Sequence, residues 1–389
     1  MMKFSLYIPT RLEFGCGKIR SLSQLPMPGK RALVVVSGGA SMTKFGYLDF
    51  VVKQMQMAGV SSLVLAKVKP NPVKETVQEG AELCRKEHCD FVVGLGGGSS
   101  IDTAKAIAVL AAMGGDLWDY ATGGSGKKKP VTKSLPVVAI PTTAGTGTEI
   151  DPWCVITDET INEKLGFGGT EPWFPVLAVV DPELMVSVPP RLTAYQGFDA
   201  LFHAVEGYLN SKLASPVSDL YALEAIRLVS KYLPSAVHDG RDLHARTKLT
   251  WASTLAGMVE STSGCISQHA MEQTMSAFYP KLPHGAGLIA LSGAYFKTFK
   301  NDAMKRYMKM SEKMRLQKSA RPSDFLDALE LLKRQCGVDK IKLSEWGITP
   351  ADFDRFADNA LATAPGAFDM DPRFLTREDI IDIYLKSYK

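Results

Sequence analysis

The sequence pattern changes near residue 185, and that change constrains the fold more than any other feature of the chain. Before it, short apolar runs rich in β-branched residues alternate with stretches of helical periodicity. Strands separated by helices predict a mostly parallel sheet with helices on its faces. Tyr7–Phe14, interrupted by Pro9, is expected to form an extended hairpin arm ahead of the sheet. The predicted strands are Ala32–Val36, Ser62–Ala66, Phe91–Leu95, Leu135–Ile140 and Val176–Val180.

After that point the strand signals disappear and long amphipathic stretches follow, such as Val217–Leu233 and Arg246–Val259. Prolines separate these stretches. We expect Pro216 to open a helix, where its missing N–H costs nothing, and Pro234 to end it. Because 389 residues are too many for one compact core, the sequence predicts two domains. An α/β domain would cover residues 1–185 and an all-helical domain residues 186–389, with the active site in the cleft between them.

Composition excludes several classes of protein. A hydrophobic content of 46% and a charged content of 22% are ordinary for a soluble globular protein. No window is long and apolar enough to span a membrane, and the N-terminus lacks the apolar core of a signal peptide. The net charge is +4 and the one basic run, Lys127–Lys129, follows a glycine-rich loop, so we expect no nucleic-acid partner. The six cysteines show no paired metal spacing, which indicates reduced thiols in the cytoplasm.

One carboxylate and three imidazoles form a candidate metal site. Asp199 and His203 are four residues apart in a stretch with helical periodicity, so both side chains lie on one helix face. His269 and His284 follow further along the chain. This ligand set suits a divalent ion such as Fe(II) or Zn(II). Taken singly, each residue is better explained as a helix-start acid or a core histidine.

A glycine-rich turn from strand to helix forms a second motif. The segment Gly94–Asp102 follows a buried apolar strand and leads into an amphipathic helix. Glycines let the backbone approach a pyrophosphate, and the helix start supplies free N–H groups. Gly94, Gly96 and Ser99 nearly match the dinucleotide-binding pattern of a Rossmann-like domain, with serine at the third glycine position. Alone, this motif also fits a plain tight turn.

Together the motifs resemble those of the iron-containing (group III) alcohol dehydrogenase family. The likeness runs in order through Gly96–Ser99, Pro141–Glu149, Gly197–Glu206 and His269–Gly285, and so covers most of the chain. The resemblance implies a Rossmann-like dinucleotide domain, a helical metal-binding domain and a homodimer. It assigns Asp199, His203, His269 and His284 as metal ligands, with iron as the expected ion and zinc as an alternative.

The resemblance also implies a set of cofactor-binding residues. Gly96–Ser100, which comprises Gly96, Gly97, Gly98, Ser99 and Ser100, would meet the pyrophosphate, and Asp102 with Lys105 would support that loop. As residues three apart on a helix, Asp102 and Lys105 could equally form an ion pair. The remaining expected contacts are Asn71 on the adenosine side, Lys164 near the nicotinamide ribose, and Thr142, Thr143 and Thr146 in a second loop, where ordinary turn chemistry is the alternative.

The reaction that these parts imply is hydride transfer between NAD(P)(H) and a small alcohol or aldehyde whose oxygen binds the metal. One departure from the family concerns the proton. Many members carry a histidine four residues after the first of the late pair, where this chain has Gln273. An amide cannot titrate, so we expect the proton to leave through water and the cofactor ribose, or the substrate to be oriented differently.

The loop after the first long strand bears on cofactor choice. NAD-preferring enzymes usually place an acid there, which binds the ribose 2′-hydroxyl and repels a 2′-phosphate. Here the loop contains Gly38, Gly39 and Ser41, with no acid before Asp49. The glycines leave room for a phosphate, and backbone N–H groups, Ser41 and Lys44 are candidate donors. The sequence therefore favours NADP(H) over NAD(H), against the alternative of a turn that discriminates little.

Two other functions fit parts of the sequence. A metal- and NAD-dependent lyase of the dehydroquinate synthase type shares the dinucleotide domain and the metal cleft. Such an enzyme should offer many basic groups to a polyanionic substrate, whereas the motifs here are flanked by apolar residues such as Trp153 and Phe198. A non-catalytic dinucleotide sensor would have no use for four metal ligands. We therefore expect a dehydrogenase or aldehyde reductase.

Overall fold

The computed structural model describes residues 3–315 and 317–388. Its first half contains eight strands. They are β1 (Arg11–Phe14), β2 (Arg31–Ser37), β3 (Ser61–Val68), β4 (Phe91–Gly96), β5 (Val137–Pro141), β6 (Trp153–Asp158), β7 (Glu163–Gly168) and β8 (Leu177–Val180). The five predicted strands are all present as β2, β3, β4, β5 and β8, with bounds shifted by one or two residues.

Six strands form one parallel sheet in the order β1-β8-β5-β4-β2-β3. Alternate residues of β2 enter different cores: Leu33 and Val35 pack with the helices on one face, and Ala32 and Val34 with those on the other. The sheet therefore carries helices on both faces, as predicted. The strand order reverses between β2 and β4, and ligands of such sheets bind outside the carboxyl ends of the strands at that point.

Two features of this half differ from the sequence expectations. Arg11–Phe14 is not part of a hairpin arm, because β1 pairs in parallel with β8, which is distant in the chain, at the edge of the main sheet. The antiparallel pair β6–β7 was not predicted. Its turn is marked by Asn162, whose φ of 53° is a left-handed conformation that asparagine tolerates.

The second half is helical throughout the described residues, as the sequence predicts. The helices of the first half are α1 (Ser41–Lys44), α2 (Tyr47–Met57), α3 (Lys74–Lys86) and α4 (Gly98–Met113). The helices of the second half are α5 (Pro190–Leu209), α6 (Pro216–His238), α7 (Leu243–Thr262), α8 (Ser267–Phe278), α9 (His284–Phe299), α10 (Met304–Arg315), α11 (Ser323–Gln335), α12 (Phe353–Thr363), α13 (Pro365–Asp369) and α14 (Arg377–Ser387).

Prolines in this half both confirm and correct the prediction. Pro216 opens α6, and Ser215 caps the helix by accepting the N–H of Ser218. Pro234 does not end α6, which continues to His238. The central helix is α5, which is buried at almost every residue from Thr193 to Leu209 and packs against α6, α7 and α9. Burial on all sides fixes the positions of its polar side chains. Among the described residues, no helix is long and apolar enough to cross a membrane.

Candidate active site

The four predicted metal ligands converge on one point of the helical half. Asp199 and His203 lie one turn apart on α5. His269 lies in the first turn of α8, and His284 is the first residue of α9. The Nε2 atoms of His269 and His284 each lie 3.5 Å from Asp199 Oδ1, and His203 Nδ1 lies 3.7 Å from the same oxygen. The structure therefore brings together residues that are far apart in the chain.

These atoms are spaced like ligands of one ion. Asp199 Oδ1, His203 Nδ1 and His269 Nε2 are buried and have no hydrogen-bond partner among the described residues. Buried polar atoms without partners are rare because they are costly. A tetrahedral ion with bonds of about 2.1 Å holds its ligand atoms about 3.4 Å apart, which is close to the distances found here. The donor set and its spacing thus fit a divalent ion such as Fe(II) or Zn(II).

The electrostatics of the site also favour a cation. Burial opposes a charged ring at His269, but the Glu206 and Asp199 carboxylates raise the pKa of this histidine well above its usual value. At His284 burial is likewise outweighed by the carboxylates of Glu272 and Asp199, and the pKa is raised. A divalent ion competes with protons for imidazole nitrogens. The carboxylates that attract those protons would therefore also stabilise a metal.

Two glutamates that the sequence analysis missed contact the Nδ1 atoms of two of these histidines. Glu206 Oε1 lies 2.5 Å from Nδ1 of His269, and Glu272 forms a hydrogen bond with Nδ1 of His284. Both carboxylates are fully buried. Metal-binding histidines commonly donate their second N–H to a carboxylate, which fixes the ring and its tautomer. The available signal was helical spacing, since each glutamate follows a predicted ligand by three residues on the same helix.

Cys265 offers an alternative donor beside the site. It forms a second group with His203 and His269 whose ligand atoms lie within 4.8 Å of one another. Its sulfur lies 3.1 Å from Nδ1 of His269, the ring nitrogen that faces away from Asp199, and its thiol donates to Glu260. Burial raises the pKa of Cys265 well above its usual value, which disfavours the thiolate. Metals bind the thiolate, and the set around Asp199 is therefore the better site.

The predicted cofactor loops meet each other at the carboxyl ends of β4 and β5. The N–H of Thr142 donates to the carbonyl of Gly96 at 2.8 Å. A Cβ at Gly98 would lie 2.5 Å from the side chain of Thr146, so only glycine permits this approach. The glycine loop also opens α4, whose first turn has no side-chain cap. This contact brings together Gly96, Gly97, Gly98, Ser99 and Ser100 with Thr142, Thr143 and Thr146.

Asp102 and Lys105 are placed differently from the ion pair that their spacing allowed. Lys105 is buried and pairs with Asp151, whose Oδ1 lies 3.0 Å from its amine. Asp102 accepts the N–H of Val155 and the hydroxyl of Thr148. Burial raises the pKa of Asp102 to about 6. Both residues thus anchor the β6–β7 hairpin against the glycine-loop helix.

Asn71 and Lys164 form a second contact across the site. The Lys164 amine donates to Asn71 Oδ1 at 2.9 Å and to the Ser276 hydroxyl at 2.8 Å. Asn71 in turn donates to the carbonyl of Pro280. Burial lowers the pKa of Lys164. The hydrogen bonds therefore tie the loop before α3 and the β7 strand to α8, which carries His269.

A cavity of about 190 Å³ joins the two groups of predicted residues. Gln273 lines it as well, four residues after His269. The cavity lining does not include Gly38, Gly39 or Ser41. These residues are exposed and follow β2, whereas the glycine loop follows β4, and strand order reverses between these two strands. The predicted residues that line the cavity are Asn71, Gly98, Ser99, Asp102, Thr146, Lys164, Asp199, His203, His269, Gln273 and His284.

Comparison with known proteins identifies the family. The family model for iron-containing alcohol dehydrogenase matches residues 9–182, and the model for the C-terminal part of that family matches residues 193–388. The chain is 35% identical to choline dehydrogenase of Bacillus subtilis (strain 168), over 93% of this chain and 90% of the relative. It is also 35% identical to NAD-dependent methanol dehydrogenase of Bacillus methanolicus, over 97% of this chain and 98% of the relative.

A solved structure supports the same assignment. The structure of an archaeal halo-thermophilic alcohol dehydrogenase from a Red Sea brine pool superimposes with a TM-score of 0.95 and 33% identity. The match covers 100% of this chain and 99% of that one. These findings do not favour a lyase of the dehydroquinate synthase type. The chain therefore belongs to the iron-containing alcohol dehydrogenase family, whose members are oxidoreductases.

Proposed function

We propose that the four predicted ligands hold a divalent ion in the cavity and that the glycine and threonine loops hold a nicotinamide dinucleotide beside it. The observation that carries this proposal is the single cavity lined by residues of both groups. When bound, the ion polarises the substrate oxygen and the dinucleotide exchanges the hydride. The ligands are Asp199, His203, His269 and His284.

The side chains around the cavity then act mainly by positioning. Glu206 and Glu272 hold the rings of His269 and His284 with their Nε2 atoms toward Asp199. Lys164, held by Asn71 and Ser276, would contact the nicotinamide ribose. Gln273 can orient substrate or water but cannot exchange a proton, so the proton would have to pass to water or another group, or the substrate would be oriented differently.

The finer assignments concern the ion, the cofactor and the assembly. We infer Fe(II) as the ion, with Zn(II) as a substitute, and a cytoplasmic homodimer. We also infer a preference for NADP(H), because a Cβ at Gly39 would meet no atom within 4 Å and the loop has no acid to repel a 2′-phosphate. The methanol dehydrogenase relative is named as NAD-dependent, so cofactor choice needs a direct test.

We propose small alcohols and aldehydes as the substrate class. The names of the two relatives include one charged alcohol, choline, and one neutral alcohol, methanol. Among the described residues, the cavity lining contains one lysine and no arginine, which disfavours a polyanionic substrate. That observation also weighs against the lyase alternative.

The test is an assay of metal-loaded protein with a short neutral aldehyde and each reduced cofactor. Loss of absorbance at the nicotinamide band, dependent on both aldehyde and metal, is the expected result. A lyase would recycle its cofactor and a non-catalytic sensor would only bind it, so neither would consume it. Absence of consumption with both Fe(II) and Zn(II), with either cofactor, would contradict the proposed function.

A further inference from the structure

Glu260 is an acid of the cavity that the proposed reaction does not use. It lies in the last turn of α7, lines the cavity and is partly exposed to it. Its Oε1 accepts a hydrogen bond from the Cys265 thiol at 3.1 Å. Within residues 3–315 and 317–388, no basic side chain forms an ion pair with it. Glu260 therefore has no direct ion-pair partner among the described residues, and His269 offsets only part of its charge.

The other carboxylates of the lining each have two or more polar partners. Asp102 is held by a backbone N–H and a hydroxyl, and Asp151 pairs with a buried lysine. Asp199 faces the three histidines. The one lysine of the lining, Lys164, is already bonded to other groups and lies 3.9 Å from Glu272. Glu260 is thus the lining acid that remains available to a ligand.

The position of Glu260 is also unfavourable for a carboxylate. The C-terminal end of a helix carries partial negative charge, and the last turn of α7 contains no basic residue to offset it. Burial raises the pKa of Glu260 to about 8, although His269 and the Cys265 thiol oppose this shift. An acid in such a place contributes little to stability, and perturbed acids in clefts commonly serve a function. A cation beside it would remove the electrostatic penalty.

Trp153 supplies an aromatic surface next to this acid. The indole N–H donates to the backbone carbonyl of Glu260 at 3.3 Å, which links the start of β6 to the end of α7. Trp153 also lines the cavity, and 37% of the residue is exposed. Tryptophan is the best aromatic partner for ammonium groups. Acid and ring therefore combine the two features that recognise an organic cation.

We propose that Glu260 and Trp153 bind an ammonium group of the substrate, and that the preferred substrate is a small alcohol or aldehyde carrying that group. This inference rests on the proposed function and narrows its substrate class. The Cys265 sulfur lies 3.1 Å from both Glu260 Oε1 and Nδ1 of His269. Because Glu260, Trp153 and the proposed metal ligands all line one cavity of about 190 Å³, a short carbon chain would span from the ammonium group to the reacting carbon.

The test compares two aldehydes of equal shape. Betaine aldehyde carries a trimethylammonium group where 3,3-dimethylbutanal carries an uncharged tert-butyl group. We expect metal-loaded wild-type protein to show a kcat/KM for the cation about tenfold or more above that for the neutral analogue, since ion pairs out of water are strong. Glu260→Gln keeps the shape but removes the charge, and should lower this ratio about tenfold. Glu260→Asp should retain part of it.

The controls separate substrate recognition from loss of structure. Glu378→Gln changes an exposed glutamate on α14 and should leave the ratio unchanged. Metal content and cofactor affinity are measured for every variant. A wild-type ratio of one or less, or an unchanged ratio in Glu260→Gln, would overturn this inference even if neutral aldehydes are reduced. Reduction of neither aldehyde by protein that does reduce a short neutral aldehyde would overturn this inference alone, whereas failure with the short aldehyde as well would overturn the proposed function.

Discussion

Glu206 Oε1 lies 2.5 Å from Nδ1 of His269, although the two residues belong to different helices. The second oxygen of the same carboxylate accepts the N–H of Ile266, just before α8 begins. Glu206 therefore fixes both the orientation of the imidazole and the start of the helix that carries it. Because outer carboxylates of this kind tune metal-binding histidines, we regard Glu206 as a positioning residue of the proposed metal site.

The Glu206→Gln variant tests this role. The amide keeps the size of the side chain but loses the charge that favours the Nδ1–H form of His269. We expect the affinity for Fe(II) or Zn(II) to fall about 10- to 100-fold, which is typical when an outer partner is lost. Competition with a chelator measures the change, and Glu224→Gln on α6 is the matched control. Equal metal affinity in wild type and Glu206→Gln would show that the contact is only structural.

Gln273 provides a test of proton transfer. If its amide only orients groups in the cavity, Gln273→Ala should reduce kcat by less than the roughly 10²- to 10⁴-fold expected for loss of a general acid–base group. The pH–rate profiles of wild type and variant should then have the same shape. A larger loss with the metal still bound would mean that the amide is essential to the reaction.

Cofactor preference is tested at Gly39. We expect wild-type protein to have the higher kcat/KM with NADPH, and Gly39→Asp to shift the preference toward NADH. The new carboxylate would accept hydrogen bonds from a ribose 2′-hydroxyl and repel a 2′-phosphate. Steady-state kinetics with both cofactors measures the shift. A wild-type preference for NADH that does not increase in Gly39→Asp would show that this loop does not select the cofactor.

Asp371 gives a prediction about stability and pH. It accepts hydrogen bonds from the Ser267 backbone and hydroxyl and from Tyr295, and burial raises its pKa to about 7. The folded state therefore holds a proton that the unfolded state releases near pH 4. Its contribution to the free energy of unfolding, up to about 4 kcal/mol, is present at low pH and lost as pH rises through about 7.

Asp371→Asn should remove that dependence. The thermal midpoint of wild type, measured relative to the variant, should fall between pH 4 and 7. Asp339→Asn, which changes an exposed acid, serves as the control and should follow wild type throughout. A difference between wild type and Asp371→Asn that does not vary with pH would show that Asp371 titrates normally.

Much of the fold could be predicted because it follows from local periodicity. Buried parallel strands are continuous apolar runs, and all five predicted runs occur in the sheet. The edge strand β1 could not be recognised in this way, since it is short and its partner, β8, is distant in the chain. Helix α6 passes through Pro234 because packing against α5 and α7 outweighs the local cost of proline.

The candidate site was predictable to a similar degree. The spacing of Asp199 and His203 places both on one face of α5, and the ordered motifs indicated His269 and His284. Spacing placed Glu206 and Glu272 one turn from a predicted ligand but could not show their roles, since each contacts a histidine on another helix. Contacts between helices depend on how the helices pack. Glu260 was missed for the same reason, because nothing local places an acid on α7 in the cavity.

The central claim is that Asp199 and the three histidines hold a divalent ion on which turnover depends. The most direct measurement is metal content and aldehyde-dependent NAD(P)H oxidation of wild type and His284→Ala, each before and after chelation, together with dinucleotide affinity. We predict that wild type binds metal and loses turnover on chelation. His284→Ala should lack turnover and bind less metal, yet keep its affinity for the dinucleotide. Full activity of metal-stripped His284→Ala would contradict the account.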